Sequence, residues 1–484
     1  MSQQTEFTMK PIMAGRGEAG SADAGQVPAV RWALASLSLS MLLSSLGTSI
    51  ANVGLPTLAQ AFNASFQQVQ WVVLAYLLAI TTLVVSAGRL GDLIGRRRLL
   101  LVGIAVFTAA SVLCGLAPTL GSLIAARAAQ GVGAAVMMSL TMAFVGETVP
   151  KARTASAMGL LGTMSAIGTA LGPSLGGMLI AGLGWRAIFF ANVPLGVLTW
   201  LLAHRHLPAD RPVPKKSGFD HMGTLLLALS LAAYALAVTV GRGSFGVLNV
   251  ALLAAAFIGV GLFLFAEARA ASPLIRLAMF RDPVLSASLA MSALVSTVMM
   301  ATLVVGPFYL ARALGLSATL VGLVLSVGPL AAALAGVPAG RIADRFGAQR
   351  MAIAGLVGMA AGALALSFLP VSLGVAGYVA PLVVVTVGYA LFQTANNAVV
   401  MADVGPDQRG VVSGMLNLSR NLGLVTGASV MGAVFAFASA AADINTASPE
   451  GVATGMRVTF AVAATLIVAG LVIAVGAARR ASRG

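Results

Sequence analysis

The sequence predicts an all-α polytopic membrane protein: fourteen transmembrane helices, built as two six-helix bundles with two extra helices inserted between them and both termini in the cytoplasm. Three observations predict it. The 484-residue chain is 59% hydrophobic and only 9% charged, with a mean hydropathy of +0.97. One turn pattern occurs twice, as Gly88-Arg89-Leu90-Gly91-Asp92-Leu93-Ile94-Gly95 and, 252 residues later, as Gly340-Arg341-Ile342-Ala343-Asp344-Arg345-Phe346-Gly347. The basic residues also fall on alternate loops.

The first observation excludes a soluble protein. Apolar runs of about 18 residues or more are long enough to cross a bilayer as helices. These runs are continuous rather than alternating, which argues against a membrane β-barrel. Spans are expected at 31–54, 69–88, 98–117, 120–146, 155–181, 187–203, 221–240, 246–267, 284–309, 317–339, 350–369, 374–401, 410–438 and 455–477.

The charge pattern fixes orientation. Of the 29 Lys and Arg, 23 fall on the termini and even-numbered loops, four on the opposite loops, and two, Arg127 and Arg420, inside spans. By the positive-inside rule both termini are cytoplasmic. The net charge of +15 therefore calls for no nucleic-acid partner; the expected partners are the lipid bilayer, protons and a small-molecule substrate.

The duplication checks the count. The two copies of the turn are eight spans apart, six for a repeat and two inserted. Five segments follow: a disordered cytoplasmic tail (1–29), a first bundle (30–203), a linker carrying the two added helices (204–283), a second bundle (284–477) and a short tail (478–484). Such paired halves are how many secondary transporters build a site between moving bundles. The protein is expected to act as a monomer without a cofactor, driven by a proton gradient.

Four groups of residues stand out. In the repeated turn, Gly88 and Gly95 permit close helix approach, and Asp92 beside Arg96, echoed by Asp344, is suited to cap a helix or pair with an arginine, and so to latch one conformation. In the fourth span, Arg127 lies ~10 Å from the outer surface at ~1.5 Å per residue. An arginine there is costly unless it faces a bundle interior or water, and Gln130, Gly131 and Ala134 share its face. In the fifth span, Gly168, Gly172 and Gly176 recur every fourth residue beside Gly177, and Pro173 bends the helix. In the thirteenth span, Arg420 lies ~16 Å deep, flanked by Asn417 and Asn421. With Asn52, Gln130, Gln393, Asn396 and Asn397 these are candidates to line a cavity; interhelical hydrogen bonding is the other reading of the span-12 amides.

Lesser signals carry less. The lone Cys114 excludes an intramolecular disulfide. Met137, Met138, Met142, Met291, Met299 and Met300 suit either an adaptable binding surface or lipid-facing packing. His204 and His206 lie by a linker, and no constellation of an enzyme or metal centre is present in the sequence.

These strings resemble the major facilitator superfamily, in particular its fourteen-helix drug:proton antiporter branch. The repeated turn resembles the family's motif A, Leu123 to Ala135 its motif B, and Gly168 to Gly177 the motif C of antiporters. Trp71, Tyr76 and the string from Gly184 to Pro194 resemble the same branch. The resemblance implies alternating access and multidrug efflux from a bacterial inner membrane. It implies that Asp92 latches the bundles, that Arg127 takes part in proton coupling, and that Gly172 and Pro173 seal the cavity.

One departure matters. Gly47 stands where the branch carries an aspartate in the first helix. Among the fourteen acids, only Glu147, at the inner end of the fourth span, is expected to reach partly into the membrane. It is either a proton-coupling group or a solvated partner of Lys151. Two arginines and no deep acid favour a neutral or weakly anionic substrate over a dication. A narrow exporter of one metabolite or organic anion is the alternative; a membrane receptor or scaffold would need soluble domains that the sequence lacks.

Overall fold

The computed structural model describes residues 19–148, 154–210, 220–240, 246–270, 273, 277–402, 409–439 and 447–481. Fourteen helices in it are long and apolar enough to cross a membrane. They are α1 (Ala19–Val53), α2 (Phe66–Ile94), α3 (Arg96–Leu116), α4 (Leu120–Thr148), α5 (Thr154–Leu183), α6 (Ala187–His206) and α7 (His221–Thr239). They continue as α8 (Val247–Arg269), α9 (Pro283–Phe308), α10 (Ala318–Phe346), α11 (Ala348–Ser367), α12 (Gly374–Ala402), α13 (Arg409–Thr426) and α14 (Pro449–Ala481). Every expected span has its helix, and no strand occurs among the described residues.

The first helix starts earlier than expected. The segment 1–29 was assigned to a disordered tail, but helix begins at Ala19. Ala19, Ala22 and Ala24 favour helix there, against the cost of Gly20, Gly25 and Pro28. Residues 1–18 and 482–484 lie outside the described residues.

The helix ends follow local chemistry. Ser65 and Gln68 form a reciprocal capping box at the start of α2, satisfying two otherwise orphaned amides. Gly95 and Gly347 have φ of +102° and +89°, a region other residues rarely adopt. Each is the hinge between a helix carrying the repeated turn and the next one. Three acids expected near loops are helix caps: Asp210 on α3, Asp220 on α7 and Asp282 on α9.

The two halves repeat the same packing. A Cβ built on Gly133 of α4 would lie 2.6 Å from the Gly103 carbonyl oxygen of α3; one on Gly388 of α12 would lie 2.7 Å from the Gly355 carbonyl of α11. Likewise Gly88 faces Ser139 across α2 and α4, and Gly340 faces Thr394 across α10 and α12. Gly168 and Gly172 of α5 fit against α1, and Gly423 and Gly427 fit the same way against α9. Small residues let backbones approach where no hydrophobic force separates helix from lipid.

The second half adds two irregularities invisible in the hydropathy. π-helical turns occur at Tyr309–Ala313, ending α9, and at Gly427–Met431, following α13. Such turns often mark functional positions.

The inserted pair lies beside the bundles. Trp71 Nε1 donates to Thr239 Oγ1 at 3.1 Å, and the hydroxyls of Ser86 and Thr224 are 2.8 Å apart. These contacts tie α7 to α2 near both ends. The outer helix, α8, buries only 17% of its most apolar window, against 72% in α1, α2 and α9. The central helices are those expected to line a path; α8 faces lipid.

Candidate functional site

The outer end of the protein is sealed between the halves. Phe66 at the start of α2 packs edge-on against Phe308 of α9, with ring centroids 4.8 Å apart, and against Phe435 beyond α13, at 5.5 Å. Offset and edge-to-face arrangements suit the ring quadrupoles. Four residues along α2, Gln70 Nε2 donates to the Ala428 carbonyl in the π turn at 2.8 Å. The extra residue of that turn redirects backbone groups that an α-helix would use internally.

The glycine string of α5 completes the seal by serving two partners at once. Gly168, Gly172 and Gly176 form the face toward α1, where Ser49 Oγ donates to the Gly168 carbonyl at 3.2 Å. Gly177, one residue on, faces the other half and meets Ala318 and Gly322 of α10. Pro173 lies inside α5 and is buried; its carbonyl abuts Gly322. A proline leaves one carbonyl without its helical partner and kinks the helix.

Arg127 sits inside the first bundle. Its side chain is 0% exposed. Nε donates to the Val72 carbonyl at 2.9 Å, an Nη to Gln130 Oε1 at 2.5 Å, and the guanidinium lies 4.1 Å from the Tyr76 ring centroid. Gln130 passes the network to Ser111 at 2.7 Å. Tyr76 donates to the Ser44 carbonyl at 2.7 Å. No carboxylate joins this network among the described residues, and the second Nη has no partner. A cation–π contact and charge-assisted hydrogen bonds offset part of the burial cost. Gly47 borders this network: a Cβ there would lie 2.9 Å from the Tyr76 hydroxyl. An acid at this position would therefore sit beside Arg127's aromatic neighbour.

The polar candidates divide. Gln130 was expected as a cavity residue but is buried against Arg127 and Ser111. Asn52, Asn396 and Asn421 were expected there too, and each is at most 3% exposed. Asn52 donates to the Thr48 carbonyl and Asn396 to the Ser288 carbonyl, while Asn52 Oδ1 and Asn421 Nδ2 are buried without a partner. Gln393, Asn397, Asn417 and Arg420 remain accessible, and Gln393 donates to Asn397 at 3.2 Å. The idea of a cavity with two arginines is thus corrected to one, Arg420.

On the basic face, Asp210 caps the start of α3. Its two carboxylate oxygens accept from the backbone amides of Arg97 and Arg98, at 2.7 and 3.1 Å. Arg97 also donates to the His204 carbonyl. The link after α6 thereby clamps the α2–α3 turn. Sequence reasoning missed Asp210 because its partner amides are over 110 residues away. The side chains of Asp92, Glu147 and Asp344 lie outside the described residues. The acid Glu267, expected beside a loop, is 3% exposed and packs near Gly223 of α7.

A duplicated fourteen-helix fold with a glycine-lined seam between its halves defines a membrane transporter. The chain belongs to the Major Facilitator Superfamily, whose family model matches residues 37–428. It is 32% identical to multidrug resistance protein Stp of Mycobacterium tuberculosis over 409 residues, 82% of this chain and 74% of that one. It is 30% identical to the riboflavin transporter RibZ of Clostridioides difficile over 398 residues, covering 82% and 86%. The fold matches a bacterial homologue of the human lysosomal transporter Spinster, in an inward-facing, unoccupied conformation. The TM-score is 0.68 at 16% identity, over 93% of this chain and 97% of that one.

Proposed function

We propose that this transporter exports small amphipathic molecules by proton antiport, alternating between the outer-sealed arrangement and one open outward. The carrying observation is the α5 string, whose Gly168–Gly176 face packs on α1 while Gly177 closes on α10 of the other half. A single helix with two backbone-close partners is suited to seal a path without a fixed plug. The efflux relatives support the direction. The protein acts in a bacterial inner membrane as a monomer, with Arg127 and Glu147 in proton coupling and Asp92 and Asp344 as latches.

The substrate is neutral or weakly anionic. Gly47 leaves the Arg127–Tyr76 network without a first-helix acid, and among the described residues Arg420 is the remaining accessible deep charge. Both disfavour a dication by field and desolvation. A narrower reading, export of one metabolite, is favoured by the likeness to RibZ.

The test is transport in proteoliposomes under an imposed pH gradient, over cationic, neutral and anionic solutes. Gradient-dependent movement of neutral or anionic solutes, with ethidium unmoved, is the expected result. Saturable ethidium transport without the others sinks the charge assignment; gradient-independent movement sinks the antiport.

A further inference from the structure

A cavity of about 400 Å³ lies away from the path between the bundles, near the outer ends of α2, α7, α8 and the segment after α13. Its walls come from both halves and from the inserted pair. Gln67 is the second residue of α2, Tyr234 and Asn249 belong to α7 and α8, and Val434 and Phe437 follow the π turn of α13. Phe437, 76% exposed, marks a mouth open to the membrane. The volume is within the range of small-molecule sites.

Its chemistry is selective. Among the described residues, no charged side chain lines it. Asn249 is satisfied: its amide donates to the Ala237 and Val240 carbonyls at 2.8 and 2.6 Å, and its oxygen accepts from Gly246 at 3.0 Å. Gln67 is different. It is only 9% exposed, and its Oε1 is buried with no hydrogen-bond partner. A buried acceptor left unpaired is costly, and a ligand donor would recover that cost.

We infer that this pocket binds a neutral single-chain amphiphile from the outer leaflet of the bilayer, its hydroxyl donating to Gln67 Oε1 and its alkyl chain lying between α7, α8 and the outer end of the α13 segment. An anionic or cationic head finds no counter-charge among the described lining residues. The mouth faces lipid, so a bilayer molecule enters without crossing the sealed path. Gln67 adjoins Phe66, and Val434 adjoins Phe435, so the site's walls touch the aromatic seal from both halves. A ligand that contacts both favours the arrangement in which they meet.

The test uses the full chain in phosphatidylcholine nanodiscs with a diazirine-bearing monoacylglycerol, followed by mass-spectrometric mapping. Adducts are expected on Tyr234, Asn249, Val434 and Phe437. Gln67→Met is expected to lower their yield five- to tenfold, and Ala433→Leu, which narrows the groove, to abolish them. Unlabelled monoacylglycerol is expected to displace the probe from the unaltered protein. It is also expected to slow maleimide labelling of Ala318→Cys at the outer end of α10. Adducts spread evenly over the lipid-facing helices, or undiminished in both variants, overturn the proposal. So does displacement by transported solutes but not by monoacylglycerol, which would assign the pocket to the cargo. None of these readouts requires transport, so the inference stands or falls separately from antiport.

Discussion

Gly177 of α5 and Gly322 of α10 meet backbone to backbone across the seam between the two halves. A Cβ on Gly177 would lie 3.1 Å from Gly322 Cα, and one on Gly322 would lie 3.0 Å from Gly177 Cα. Real Cβ atoms are rarely that close, so neither position admits a side chain while the outer end is sealed.

Gly177→Val is therefore expected to destabilise the sealed arrangement by about 1–3 kcal/mol, the usual cost of overpacking. Transport should fall at least tenfold, and maleimide should label Ser317→Cys at the outer end of α10 faster. Normal labelling alongside normal transport would show that the seam is looser than the packing indicates.

Gly427 in the second half repeats the role of Gly172 in the first. A Cβ at Gly427 would collide with the Thr297 carbonyl and Met300 of α9, as one at Gly172 would with Ser49 and Ile50 of α1. Gly427→Leu and Gly172→Leu are expected to lower thermal stability by similar amounts, readable by tryptophan fluorescence during heating. A large loss from one and none from the other would refute the equivalence.

Arg127 holds its place through the Val72 carbonyl, Gln130 and the Tyr76 ring. Arg127→Lys keeps the charge but not the fork, and leaves acceptors unpaired at about 1–3 kcal/mol each. It should lower the unfolding midpoint and cut transport more than tenfold. Recovery of full transport with lysine would show that charge alone suffices.

Asp210 caps α3 across the basic face. Asp210→Ala should cost about 1 kcal/mol, typical of a lost cap, and speed hydrogen exchange at the Arg97 and Arg98 amides. Unchanged exchange there would mean that the clamp does not form in solution.

Two hydroxyl contacts tie the inserted pair to α2, beside the apolar packing of Leu227 and Leu231 against the second half. Thr224→Val with Thr239→Val removes the partners of Ser86 and Trp71. Exchange over His221–Thr239 should then accelerate while that over α1 and α5 stays slow. If all three change together, the pair is an integral part of the bundle core.

The sequence by itself determined the fourteen spans, the duplication and the glycine faces. Each is written in local hydropathy or short periodic spacing, which a helix turns directly into length and face. It also marked Arg127 as an interior residue, because a charge at that depth has few places to go. Tertiary structure alone decided which helix each face met. Gly177 turns from α1 toward α10, Asp210 caps a helix whose amides lie far away in sequence, and Gln130 and Asn396 satisfy themselves inside bundles. The π turns at Tyr309 and Gly427 were likewise set by packing. Hydrogen bonds and backbone contacts between residues hundreds of positions apart leave no periodic trace in the chain, so only the packed helices reveal them.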